Sequence, residues 1–97
     1  MKLKNNMKVL IVEDETKLAL SLADHFKLGG HIPEISDTVA TAAELVCVTH
    51  YDMILLDIML PDGDGRAFLR SLRADHVQTP VIVMTARSEV SDRVDML

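Results

Sequence analysis

Glu13, Asp14, Asp57 and Thr85 are the residues whose types and placement could do chemistry. Each follows a short apolar run: Val9-Leu10-Ile11-Val12 before the acidic pair, Met53-Ile54-Leu55-Leu56 before Asp57, and Val81-Ile82-Val83-Met84 before Thr85. Three carboxylates at the tips of two strands repel one another, and burying an unpaired charge costs several kcal/mol. A cation removes that penalty. Oxygen donors alone, in a small cluster, suit Mg²⁺, which keeps several waters and takes one or two carboxylates plus a phosphate oxygen. A carboxylate beside such an ion is a candidate phosphoryl acceptor, because phosphoryl transfer depends on in-line positioning and neutralised charge. Asp57 is the best placed of the three. A central strand holds its backbone, and the Gly-rich turn after it leaves room above the carboxylate. The Thr85 hydroxyl, at the end of another run, can hydrogen-bond a phosphoryl oxygen and draw its loop inward.

Taken singly, each acid reads as an ordinary solvated loop residue, so the weight rests on the constellation. Asp62-Gly63-Asp64-Gly65 has the look of a calcium loop, but Arg66 stands where a third oxygen ligand is needed and the closing Glu is missing. It reads as a turn. His25, His31, His50 and His76 have no ligand spacing and are expected at the surface. Cys47 has no CxxC or His-spaced partner and reads as core filling. Met53, Met59 and Met84, in or beside strands, read as packing rather than as a partner surface.

The elements that must position these groups follow from hydrophobic pattern. None of the three apolar runs alternates, so both faces of each strand must be covered. Stretches with helical spacing lie between them, and that βαβ order implies an open parallel sheet with helices on both faces. Functional groups of such a sheet gather beyond the carboxyl ends of its strands. The first helix is expected from about Glu15 to Leu28, with Leu18, Leu22 and Phe26 facing inward and Gly29-Gly30 as its stop. Ile32 to Ser36 reads as a weak strand at a sheet edge, since Pro33 has no N–H to donate. A second helix, capped by Ser36 or Asp37, carries Val39, Ala42, Ala43, Val46 and Cys47. After the turn at 60–65, a third helix turns Phe68, Leu69 and Leu72 inward, and Pro80 marks entry to the last apolar run. Ser88 is placed to cap a further helix starting near Glu89.

Composition narrows the function. The 97 residues, 48% apolar, make one compact unit, with 7–97 as the expected folded core and the polar, basic 1–6 as an N-terminal extension. A net charge of -5 repels a phosphate backbone, so direct nucleic-acid binding is not expected. The single cysteine fits a reducing, cytoplasmic setting. No apolar stretch is long enough for a membrane span or a signal-peptide core.

The segments 9–15, 55–65 and 79–87 together closely resemble CheY-like receiver domains of two-component response regulators, and 92–97 resembles the opening of the fourth helix of OmpR/PhoB-type members. That resemblance implies a flavodoxin-like sheet of order 2-1-3-4, with the family's fifth strand and helix missing. It makes Asp14 a direct Mg²⁺ ligand, Glu13 a ligand through water, Met59 the donor of a backbone carbonyl, Asp57 the phosphoacceptor and Thr85 the switch hydroxyl. The implied donor is a sensor histidine kinase, and the implied context is a transcriptional regulator, not an enzyme beyond catalysing its own phosphorylation and dephosphorylation. The family's fifth-strand lysine and switch aromatic have no counterpart in these residues. On that basis slow phosphotransfer is expected, as is self-association through an exposed strand edge or by segment exchange. The competing function is a switch-defective fragment that only folds and associates. A metal-dependent phosphohydrolase is disfavoured, because the second acid it needs two residues after the nucleophile is here Met59.

Overall fold

The computed structural model describes residues 6–84. Strand β1 spans Lys8–Val12, helix α1 Thr16–Leu28, β2 Ile32–Ser36, α2 Val39–Val48 and β3 Met53–Asp57. A short hairpin of β4 (Met59–Leu60) and β5 (Gly63–Asp64) leads into α3 (Gly65–Ala74), and β6 spans Val81–Met84. The four longer strands form one parallel sheet in the order β2-β1-β3-β6, the flavodoxin-like order expected, with β6 as its fourth strand. Thr85 and the helix expected near Glu89 lie outside the described residues.

In β1 and β3 the unbroken apolar runs are explained by helices on both faces, whereas among the described residues β6 is only partly covered, with Ile82 exposed. Leu10 and Val12 of β1, with Ile54 and Leu56 of β3, point into one cluster with Ala42 of α2 and Phe68 and Leu72 of α3. Val9, Ile11 and Leu55 point the other way, against Ala23, Leu22 and Phe26 of α1. Val9 to Val12 are wholly buried, at roughly 1.5–3 kcal/mol per large aliphatic side chain. This anchors the strand that carries the acidic pair.

Several expectations shift in detail. The fully buried residues of α1 are Ala19 and Ala23, with Leu18, Leu22 and Phe26 only partly covered, because small side chains let the helix sit close to the sheet. Helix α2 is capped by Thr38, whose side chain accepts from the Thr41 N–H, not by Ser36 or Asp37. Cys47 is exposed rather than core filling. Nearly every residue of α2 is apolar, so periodicity finds the helix without fixing which side faces the sheet. Met53 and Met84 do pack on the α1 side, but Met59 is 58% exposed. His31 is half-buried and takes the Met7 N–H on Nδ1 at 3.0 Å, whereas His25, His50 and His76 are exposed. Pro33 lies on the edge strand, as its missing donor requires, and α3 buries Phe68 and Leu72.

Candidate functional site

Parallel pairing brings the acids together. β1 and β3 are neighbours with Val12 opposite Leu56, so the next residues, Glu13 and Asp57, leave the sheet side by side. Glu13, Asp14 and Asp57 each offer a carboxylate oxygen within 4.8 Å of the others, close enough to share one ion. Glu13 and Asp57 are 2% and 1% exposed, while Asp14 opens to solvent. Among the described residues, no lysine or arginine is ion-paired with any of the three.

Two backbone hydrogen bonds orient the cluster. The Glu15 N–H donates to Glu13 Oε2 at 3.0 Å, and the Met59 N–H donates to Asp57 Oδ1 at 3.0 Å. Asp57 Oδ2 is buried with no hydrogen-bond partner. Such an orphan is costly and marks a place where a ligand is expected. Burial pushes the Glu13 carboxyl up to about 7, and the negative charges of Asp57 and Asp14 add to the push against the lowering effect of the Glu15 N–H. A buried carboxyl that resists ionising beside two others belongs to a cluster that could hold an added cation. Hard oxygen donors with no nitrogen or sulfur fit Mg²⁺.

Thr85 lies outside the described residues; Met84, just before it, pairs with Asp57 in the sheet. Met59 is largely exposed, and its backbone N–H donates to Asp57 Oδ1 inside the site. Gly65, expected as the end of a Gly-rich turn leaving room above Asp57, instead opens α3 and packs tightly against the strand end. This first residue of α3 is buried, donates its N–H to the Ile58 carbonyl at 3.0 Å, and lies where a Cβ would meet the Asp57 carbonyl oxygen at 2.7 Å. Tyr51, which no sequence motif marks, is 2% exposed and donates its hydroxyl to Glu34 Oε1. Asp64, the N-cap of α3, was legible in principle as an aspartate directly before a helix.

A doubly covered parallel sheet with three acids at the tips of two adjacent strands defines the receiver class of signalling domain. The family model "Response regulator receiver domain" matches residues 9–97, and the chain belongs to that family. The transcriptional regulatory protein PmrA of Pectobacterium parmentieri is 40% identical over 91 residues, covering 94% of this chain and 41% of that protein. BasR of Escherichia coli, also a transcriptional regulatory protein, is 35% identical over 88 residues, covering 91% of this chain and 40% of that protein. The chain thus spans about two fifths of these relatives. The receiver domain of the Francisella response regulator 1452 superposes with a TM-score of 0.83 at 30% identity, covering 93% of this chain and 74% of that one. The response regulator MaeR bound to beryllium trifluoride superposes at 0.77 with 32% identity, covering 93% of this chain and 78% of that one. No helix among the described residues is long and apolar enough to cross a membrane.

Proposed function

We propose that this domain is the phosphoacceptor module of a two-component system, taking a phosphoryl group from the phosphohistidine of a sensor histidine kinase onto Asp57, with Mg²⁺ as cofactor, as part of a cytoplasmic transcriptional regulator. Asp14 and Asp57 hold the ion directly, with the Met59 carbonyl, and Glu13 acts through bound water. When bound, Mg²⁺ supplies positive charge against the phosphoryl oxygens. A carboxylate oxygen of Asp57 attacks phosphorus, the P–N bond to the kinase imidazole breaks, and its electron pair stays on the imidazole nitrogen. The Met59 N–H holds Asp57 in one rotamer for that attack. Thr85 is the switch hydroxyl of this reading, and the acidic surface carries no nucleic-acid site of its own.

The observation that carries the proposal is Asp57 Oδ2, buried, unpartnered and within the three-acid cluster. The response regulator MaeR, similar in fold, is known bound to beryllium trifluoride. Incubation with acetyl phosphate and Mg²⁺ is expected to add one hydroxylamine-sensitive phosphoryl group, seen by intact mass. Asp57→Ala abolishes the gain; a gain that survives that change overturns the assignment.

Self-association belongs to the same reading. Among the described residues β6 is paired only through β3, and its Ile82 is 46% exposed, an open apolar edge of the kind that recruits another strand. Sedimentation showing a folded monomer at high concentration refutes it.

A further inference from the structure

Asp62 and Asp64 take no part in the chemistry above, yet each holds the start of a helix. Asp62 accepts the Val39 N–H on Oδ1 at 2.8 Å and the Ala40 N–H on Oδ2 at 3.0 Å, so a residue of the β4–β5 turn closes the first turn of α2. Asp64 accepts the Arg66 N–H on Oδ1 at 2.9 Å, closing the first turn of α3. Pairing of Met59 with Asp64 and of Leu60 with Gly63 joins these caps to β4. A Cβ on Gly63 would stand 3.5 Å from Val39 Cγ2, so the hairpin lies directly against α2. Its inner strand carries the Met59 N–H that grips Asp57 Oδ1.

Helix α2 already has a local cap, since Thr38 Oγ1 accepts the Thr41 N–H at 3.1 Å. Asp62 therefore does more than end a helix. A carboxylate on two amides at the positive end of a helix is a charge-assisted, two-point link. Here it ties α2 to the segment that orients the acceptor.

We infer that Asp62 is a positioning residue for the acceptor site: by clamping the β4–β5 hairpin to α2 it fixes the Met59 backbone, and so couples ion binding at the acidic cluster to the order of the first turn of α2. The inference rests on Asp14, Asp57 and Met59 being the Mg²⁺ ligands. Because such coupling is reciprocal, the ion tightens α2 to the same extent that the clamp tightens the ion.

The test measures Mg²⁺ affinity and amide hydrogen exchange on the full chain. In the unaltered protein, Mg²⁺ is expected to slow exchange at the Val39 and Ala40 amides. Asp62→Ala speeds both, removes their response to Mg²⁺, and weakens Mg²⁺ binding about fivefold or more. Thr38→Ala removes the local cap, speeds exchange at Thr41, and leaves Mg²⁺ affinity unchanged, which separates the clamp from simple fraying of α2. Asp62→Asn keeps one acceptor and gives an intermediate affinity, which serves should Asp62→Ala not fold. Equal Mg²⁺ affinity in the unaltered and Asp62→Ala chains, or equal weakening by Thr38→Ala, overturns the clamp. If the unaltered chain binds no Mg²⁺, the acceptor reading falls and the clamp with it. If Asp57→Ala abolishes binding and Asp62→Ala leaves it intact, the clamp alone falls.

Discussion

Gly65 stands against the backbone of Asp57 so closely that a Cβ on it would lie 2.7 Å from the Asp57 carbonyl oxygen and 2.7 Å from Ile58 Cα. Both obstacles are backbone atoms of the strand end that presents the acceptor, so neither can swing aside as a side chain would. Gly65→Ala must push α3 outward or bend the chain at Asp57 and Ile58. Overpacking of this kind costs about 1–3 kcal/mol, and a lowered denaturant midpoint with unchanged slope is expected. Acetyl phosphate labelling should fall as well, because the displaced atoms adjoin the acceptor. Unaltered stability in Gly65→Ala would show that the contact relaxes freely.

Removing the acceptor's charge should act with opposite signs on stability and binding. Asp57→Asn takes one negative charge away from Glu13 and Asp14 and places an amide N–H₂ donor or carbonyl where buried Oδ2 lacked a partner. Without a cation the variant is expected to be more stable, by about 1–2 kcal/mol. With Mg²⁺ that advantage shrinks or reverses, because only the carboxylate gains from the ion. Paired denaturation curves with EDTA and with Mg²⁺ read this directly, and a variant less stable in both sinks the account of a repulsive, ion-seeking cluster.

Glu13 gives a pH dependence whose sign is set by its burial. An unfolded glutamate ionises near its ordinary value of 4.5, and the folded one is pushed up to about 7. Between those values the folded chain holds the extra proton, so stability is highest below the window and falls as pH rises through it. The full effect is about 3 kcal/mol as an upper bound. Asp62 and Asp64 are shifted the other way, by backbone N–H groups, so the stability they add is present above 3.8 and lost only as pH falls below it. Stability to urea in EDTA should therefore fall from pH 5 to pH 7.5, and Glu13→Gln should flatten that slope. A slope unchanged by Glu13→Gln is the contrary result.

How far the sequence revealed these relationships depends on the range of each interaction. The apolar runs 9–12, 53–56 and 81–84 became β1, β3 and β6 nearly residue for residue; in β1 and β3 burial on both faces accounts for the pattern, whereas in β6 the run stays apolar although Ile82 is 46% exposed. Asp14 and Asp57 were legible as partners because strand ends in a parallel sheet share one rim. Other features depended on residues far apart in the chain. Asp62 caps α2 from 22 residues away, and a turn-forming motif says nothing of that. Tyr51 bonds Glu34 across 17 residues, and neither residue type advertises it. Cys47 was misplaced because α2 has apolar residues around most of its circumference, which leaves its rotation to tertiary packing.

Two helix ends offer a matched comparison. At the end of α1 the His31 N–H reaches the Phe26 carbonyl and the Gly30 N–H the Lys27 carbonyl, each at 2.9 Å. At the end of α3 the Val77 N–H reaches the Leu72 carbonyl at 2.9 Å and the His76 N–H the Arg73 carbonyl at 3.1 Å. These are the same paired bonds, and both need a left-handed residue. Gly30 supplies it with φ 86°, while His76 adopts φ 64° despite its Cβ. That conformation costs a side-chain-bearing residue about 1 kcal/mol or more, partly offset by glycine's greater freedom when unfolded. His76→Gly is thus expected to stabilise the domain by roughly 0.5–1 kcal/mol, whereas His76→Ala gains nothing and Gly30→Ala loses a similar amount. Thermal or urea midpoints of the three variants check the order. If His76→Gly and His76→Ala behave alike, the imidazole rather than the backbone angle governs this turn.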